Sequence, residues 1–220
     1  MLERYKRQSG LINHEDLDAT NITLVGAGGI GGVTAVFLTK MGCDPKVYDF
    51  DEIEEHNIAN QLYGPNHLGV HKVDALRDAI KLLDDKEITV KREKFARGSG
   101  DILILGVDSI PVREEIYNEN KDNFEWLIDG RMGGQTGEVF VVNLNDEKAK
   151  ALYEQHFHKD PMEIPCTERA TIYCSAVIGG TITASVKHIV KKESPGYRRV
   201  FMDMVNMTTD DLTPADYEED

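Results

Sequence analysis

Gly26, Gly28 and Gly31 form a G-x-G-x-x-G series between the apolar run Ile22–Val25 and the helix-forming run Val33–Lys40. The pattern reads as a strand, a tight turn and a helix N-terminus. Glycines at the turn, Gly29 among them, let the backbone approach the phosphates of a nucleotide, and the first helical amides face the anion. Roughly twenty residues further on, Asp49 ends a second strand, where an acid binds ribose hydroxyls. Lys72 lies early in a later helix beside the loop and can offer an ammonium to phosphates; otherwise it is a solvated surface lysine. Asp108 ends a buried strand on the crevice side of an open α/β sheet, or it caps the helix that follows. These residues imply a nucleotide on a Rossmann-type sheet and leave open which nucleotide.

Alternating strand and helix signals must position them. The fold class is α/β: a Rossmann-like, mostly parallel sheet with helices on both faces and antiparallel strands toward the C-terminal side. After an N-terminal arm (residues 1–20) with a short helix at His14–Ala19, strand Ile22–Val25 leads to helix Gly29–Met41 and strand Lys46–Asp49. An irregular stretch, Asp51–Val70, precedes helix His71–Leu83, whose Val73, Leu76, Ile80 and Leu83 share a face. Strands Ile88–Val90 and Ile102–Val107, helix Val112–Asn120 and strand Trp126–Asp129 follow, and Gly133, Gly134 and Gly137 mark a turn before strand Glu138–Asn143. Residues 145–170 read as an irregular crossover, of the kind that is functional or mobile in a compact domain. Ala176–Lys191 reads as a helix opened by Gly179–Gly180, Val200–Asn206 as an edge strand, and residues 208–220 as a solvated acidic tail.

The chain has 220 residues, enough for one domain with a sizeable core. No apolar run reaches membrane-spanning length and the first residues are polar, so neither a membrane partner nor a secretory leader is expected. Three cysteines at irregular spacing make no disulfide framework and point to a reducing, cytoplasmic setting. A formal net charge of −14 argues against a nucleic-acid surface.

The N-terminal Arg4–Tyr5–Lys6–Arg7–Gln8 resembles the RYxRQ arm of the ThiF/MoeB/HesA family, relatives of the ubiquitin-activating enzymes. The resemblance continues in order. Gly26–Gly31 is similar to the family's GxGGxG loop, Tyr48–Asp49–Phe50–Asp51 to its DFD strand end and His56–Gln61 to its SNLxRQ motif. Gly69–Val73 matches its G-x-x-K-[VA] helix start and Gly106–Ser109 its acid-containing strand end. A lone GxGxxG is weak evidence; this ordered series, spanning about residues 4–113, is specific.

The resemblance implies an ATP- and Mg²⁺-dependent adenylyltransferase acting on the C-terminal carboxylate of a small ubiquitin-like or sulfur-carrier protein. It gives Asp108 to Mg²⁺ and Lys72 to the phosphates. It sends Arg7 into a neighbouring subunit's site, which implies a homodimer; the alternative is an unstructured basic arm. Asp51 either belongs to the site or is a solvated loop acid, and Asn57 either bonds the nucleotide or orders its loop. Asn60 stands where the family has arginine, which removes a charge-assisted phosphate contact. Arg113 or Arg77 could replace it, Lys72 and Mg²⁺ could suffice without it, or the chain is a degenerate nucleotide-binding scaffold. The paired CxxC zinc motifs of many members are absent. Cys166, in the irregular segment near Arg169, occupies the place of the cysteine that accepts the activated carboxyl in relatives, whereas Cys174 and Cys43 read as packing residues. A NAD-dependent oxidoreductase would share the glycine loop and Asp49 but has no use for Lys72, Asp108 or the arm.

Overall fold

The computed structural model describes residues 3–157 and 170–217. Its centre is one eight-stranded sheet in the order β3-β2-β1-β4-β5-β6-β7-β8. The strands are β1 (Ile22–Val25), β2 (Lys46–Tyr48), β3 (Val90–Lys91), β4 (Gly100–Leu105), β5 (Phe124–Gly133), β6 (Thr136–Asn143), β7 (Tyr197–Asp203) and β8 (Thr208–Leu212). β3, β2, β1, β4 and β5 pair in parallel, and β5 through β8 pair antiparallel. The expected Rossmann-like arrangement with antiparallel C-terminal strands is therefore the one found.

Parallel neighbours need crossover connections, which the helices supply: α2 (Gly29–Met41), α3 (Lys72–Asp84) and α4 (Ile110–Asn120). α1 (His14–Asp18), α5 (Glu147–Glu154) and α6 (Ile172–Val190) complete the set. Two apolar layers result. On one face Ile30, Leu38, Leu76, Ile80, Ile178 and Ile182 pack on Leu24, Ile102, Ile104 and Ile128. On the other, Ile116, Tyr117, Leu152 and Tyr153 pack on Leu103, Leu105, Leu127, Phe140 and Val142. β1 is covered on both sides and is buried at every position, Thr23 included, and its other three residues are apolar.

Several boundaries differ from the sequence reading. Leu83 is half exposed, because the buried face of α3 ends at Ile80. Within the stretch read as irregular, residues 147–154 form α5; Asp146 caps it by accepting the Lys148 and Ala149 amides. α6 begins at Ile172, behind a Thr171 cap, so Gly179–Gly180 lie inside the helix rather than opening it. Gly179 earns that place by closeness: a Cβ there would sit 2.9 Å from Val33 Cγ1 and 3.3 Å from the Thr34 nitrogen of α2. The strand read as an edge, β7, is internal. The real edge is β8, inside the stretch read as tail, where exposed Asp210 and Asp211 hide the strand pattern; charge is also what discourages an edge from pairing further.

The strand order reverses beside β1, opening a crevice between the C-terminal ends of β1 and β4. Gly31 makes the approach of α2 to this point possible, since a Cβ on it would fall 1.9 Å from the Gly26 carbonyl oxygen. Gly31→Ala is expected to lose about 2 kcal/mol or more in urea unfolding, as overpacking against backbone cannot relax cheaply. Gly64→Ala, at a position with nothing within 4 Å, should stay within about 0.5 kcal/mol of the parent. Equal stability of the two variants would refute this account of Gly31.

Candidate nucleotide-binding site

The crevice is built from backbone first. Gly26 takes φ +97°, in the left-handed region, and donates its amide to the Tyr48 carbonyl at 2.8 Å. A Cβ on Gly26 would lie 2.8 Å from the Gly106 carbonyl carbon and oxygen. One glycine turn thus rests on another, and the β4 exit carrying Asp108 lies against the β1 exit. Gly28 is the N-cap of α2 and offers no side-chain cap. The first-turn amides of that helix therefore have no side-chain partner at the cap, and the helix dipole adds positive potential there.

Asp49 ties the next strand end to this loop. One carboxylate oxygen accepts the Ala27 amide at 2.7 Å and the other the Asp51 amide at 2.8 Å. Burial pushes its pKa up, while the Ala27 and Asp51 amides and Lys72 pull it down. Each oxygen retains a second lone pair for a hydroxyl. Lys72 is not a solvated lysine: it is 9% exposed and its Nζ lies 2.7 Å from Asp51 Oδ2. The Asp51 carbonyl also accepts the Lys72 amide at 2.9 Å, so Asp51, though exposed, is the partner of Lys72 and more than a solvated loop acid.

Asp108 lies two residues past Gly106 and is exposed. The helix after it begins at Ile110, and its N-cap position belongs to Ser109, whose side chain makes no capping bond. The capping alternative for Asp108 therefore falls. Among the described residues no group of three or more His, Cys, Asp or Glu side chains could hold an ion unaided. A single carboxylate at a strand end is the donor set that Mg²⁺ arriving with nucleotide phosphates calls for, because Mg²⁺ binds through one or two carboxylates plus phosphates and water.

Asn57 orders its loop: it is buried, and its Oδ1 accepts the Glu54 amide at 3.0 Å. Asn60 comes close to the glycine turn, its carbonyl oxygen 3.0 Å from where a Gly29 Cβ would be. The Asn60 Oδ1 and the neighbouring Gln61 Oε1 are buried without a hydrogen-bond partner. Neither arginine considered as a replacement for the family guanidinium is available. Arg113 is buried in an ion pair with Asp129, and Arg77 pairs with Asp74 at 3.3 Å and Asp78 at 3.7 Å. Ser175 of α6 also reaches the turn, its Oγ 2.6 Å from the Gly29 Cβ position. Nothing in its sequence context distinguishes Ser175 from a small packing residue; only the close contact of α6 with α2 exposes its place.

Arg7 lies elsewhere. The arm is ordered: Tyr5 is buried edge-on to His14, with ring centroids 4.1 Å apart, Gln8 Nε2 donates to the Met41 carbonyl at 2.5 Å, and Arg4 to the Asp84 carbonyl at 3.0 Å. These contacts pin exposed Arg7 near the C-terminal end of α2, about 20 Å along the helix from the glycine turn. The unstructured-arm alternative is overturned, and Arg7 is not part of its own chain's crevice. Cys166 lies outside the described residues. Cys43 and Cys174 are buried, and burial pushes the Cys43 thiol up to about 12, which leaves it inert. No described helix is long and apolar enough to cross a membrane.

The ThiF family model matches residues 5–219. Among characterised relatives, the chain is 35% identical over 146 residues to ubiquitin-like modifier-activating enzyme 5 of Bombyx mori, covering 57% of this chain and 37% of that one. To the Caenorhabditis elegans enzyme of the same name it is 27% identical over 146 residues, covering 56% and 35%. The chain thus aligns with little more than a third of each of these relatives. Among solved structures, E. coli MccB with AMPCPP and MccA superposes at TM-score 0.70 and 15% identity, covering 96% of this chain and 71% of that one. PaaA superposes at TM-score 0.74 and 18% identity, covering 96% and 82%. At those identities the superpositions speak for the fold. The family match across nearly the whole chain, on a sheet whose glycine turn, Asp49, Lys72 and Asp108 converge at one crevice, establishes that this chain belongs to the ThiF family.

Proposed function

We propose that this chain is an ATP-dependent adenylyltransferase that activates the C-terminal carboxylate of a small ubiquitin-like or sulfur-carrier protein. The observation that carries the reading is the convergence on one crevice of a helix N-terminus without a side-chain cap, a buried lysine and an exposed strand-end carboxylate, in a ThiF-family chain. The names of its relatives, ubiquitin-like modifier-activating enzymes, support the carrier. The solved neighbour with bound AMPCPP supports the nucleotide.

In the reaction a carrier carboxylate oxygen attacks the α-phosphorus of ATP, the bond to the bridging oxygen breaks, and pyrophosphate leaves with that oxygen and its electron pair. Negative charge develops on the phosphate oxygens, so donors and cations aimed there lower the barrier. The α2 amides supply fixed donors. Lys72 supplies an ammonium already held in place by Asp51. Asp49 accepts from ribose while keeping the loop closed on β2. Asn60 and Gln61 supply neutral amides against the turn, in place of the family's guanidinium. Mg²⁺, held by Asp108, would supply charge neutralisation for the departing pyrophosphate.

ATP–pyrophosphate exchange with candidate carriers tests the reading directly. Lys72→Met and Asp108→Asn should each lower exchange by about 100-fold or more, the scale of losing one transition-state contact, with melting temperature little changed. Near-full activity in either variant would remove that residue's role. Calorimetric binding of NAD with no binding of ATP would overturn the assignment altogether.

Arg7 acts, on this reading, in a neighbouring copy's crevice. Light scattering should report a homodimer, and mixing inactive Arg7→Ala with inactive Lys72→Met should restore part of the activity, since mixed dimers hold one intact composite site. A monomer whose activity ignores Arg7→Ala would end that proposal.

Cys166 is proposed as the acceptor of the activated carboxyl. Its thiolate attacks the acyl carbon, a thioester forms and AMP leaves. With ATP and the true carrier a thiol-sensitive adduct should form, and it should vanish in Cys166→Ala while exchange persists. An adduct that survives the substitution, or maps to Cys43 or Cys174, would refute the role.

A further inference from the structure

Directly behind the Val107–Asp108 turn lies a buried ionic cluster for which the proposed chemistry has no use. Asp129, at 0% exposure on β5, is its centre. One carboxylate oxygen accepts from Arg113 Nη1; the other accepts from Arg131 Nε at 2.7 Å and from the Tyr153 hydroxyl at 2.9 Å. Arg113, 3% exposed on α4, turns its other terminal nitrogen to the Val107 carbonyl. Arg131 continues outward: its Nη1 donates to the His156 carbonyl at 3.1 Å, and its guanidinium stacks over Phe140 with Cζ 4.6 Å from the ring centroid.

Buried charge at such density is an inefficient way to stabilise a fold, since desolvation consumes most of the attraction and apolar residues of like volume serve as well. Here the cost is visible, because Arg113 Nε and Arg131 Nη2 are buried without partners. What the cluster achieves is geometric. A planar guanidinium with two fixed prongs joins a carboxylate that cannot move to the one carbonyl that precedes Asp108. Gly106 is held from the other side by its backbone approach to Gly26 and Gly31. The turn that carries Asp108 is thus fixed at Gly106 by packing and at Val107 by a charged hydrogen bond.

We infer that Arg113 is a positioning residue: by clamping the Val107 carbonyl to Asp129 it fixes the exit of β4 so that the Asp108 carboxylate faces the crevice in one orientation. The inference rests on the proposed role of Asp108 at the divalent ion. It also assigns Arg113 a task other than standing in for the arginine absent at Asn60. Lysine cannot perform it, because a single ammonium does not hold two acceptors in the fork geometry of a guanidinium. Loss of a group that orients a metal ligand typically weakens the metal 10–100-fold.

The test uses the full chain, a non-hydrolysable ATP analogue and Mn²⁺ followed by electron paramagnetic resonance. Arg113→Lys should raise the half-saturating Mn²⁺ concentration by about tenfold or more, with metal-free analogue affinity within about twofold of the parent. Tyr153→Phe removes a bond to the same carboxylate without touching Val107; it should lower the melting temperature and leave Mn²⁺ affinity unchanged. Should Arg113→Lys fail to fold, Asp129→Asn carries the same expectation as Arg113→Lys. Folded Arg113→Lys that binds Mn²⁺ like the parent, while Asp108→Asn weakens it, overturns the positioning role alone. Asp108→Asn binding Mn²⁺ unchanged overturns the role of Asp108 and the positioning of it together.

Discussion

Everything at the crevice depends on the contact between two backbones. Gly26 lies so close to Gly106 that no side chain fits between the exits of β1 and β4, and Gly31 closes on Gly26 from the helix side. Backbone at that distance brings three things to one point: the amides at the start of α2, the strand end that holds Asp49, and the strand end that leads to Asp108. A methyl group at either contact would force the exits apart, and the charged groups would lose their common target. Glycine serves here through absence of volume, and at Gly26 also through its positive φ.

The charged side chains around that contact are held before any ligand arrives. Asp49 spends one lone pair of each oxygen on the amides of Ala27 and Asp51, and Asp51 in turn holds the Lys72 ammonium. Arg113 is committed to Asp129 and Val107. Groups fixed in this way need little reorganisation when charge develops, which is the condition under which electrostatics lowers a barrier most. Asp51 has a second effect: it gives a largely buried ammonium a charged partner, so that the ammonium does not stand alone in the interior.

Where local pattern decided the structure, the sequence was legible. β1, α2, β2, α3 and β4 follow from apolar runs, helical spacing and glycine punctuation, and their order alone required a mostly parallel sheet. The residues at the crevice were legible for the same reason: Gly26–Gly31, Asp49, Lys72 and Asp108 all sit at strand ends or helix starts that the pattern marks. What escaped was set by tertiary contact. α5 is short and mixed in charge, and Asp146 starts it where composition suggests loop. β8 alternates nothing apolar and exists because β7 offers it a ladder. The pairing of Lys72 with Asp51 needs the loop after β2 folded over it, and Ser175 has no local signal at all. The Asp129 cluster joins residues from α4, β5 and α5 that only the assembled sheet makes neighbours.

The replacement at Asn60 looks different once these contacts are known. A guanidinium at that position would add a charge near Gly29, where the dipole of α2 already supplies positive potential. Asn60 and Gln61 instead bring neutral amides near the turn, and their side-chain oxygens are buried without hydrogen-bond partners. An unpartnered buried amide costs about 1–3 kcal/mol, and that cost is recovered only when something donates to it. A neutral amide in place of a guanidinium leaves the positive potential at the turn to the amides and dipole of α2, whose N-cap glycine offers no side chain to quench it.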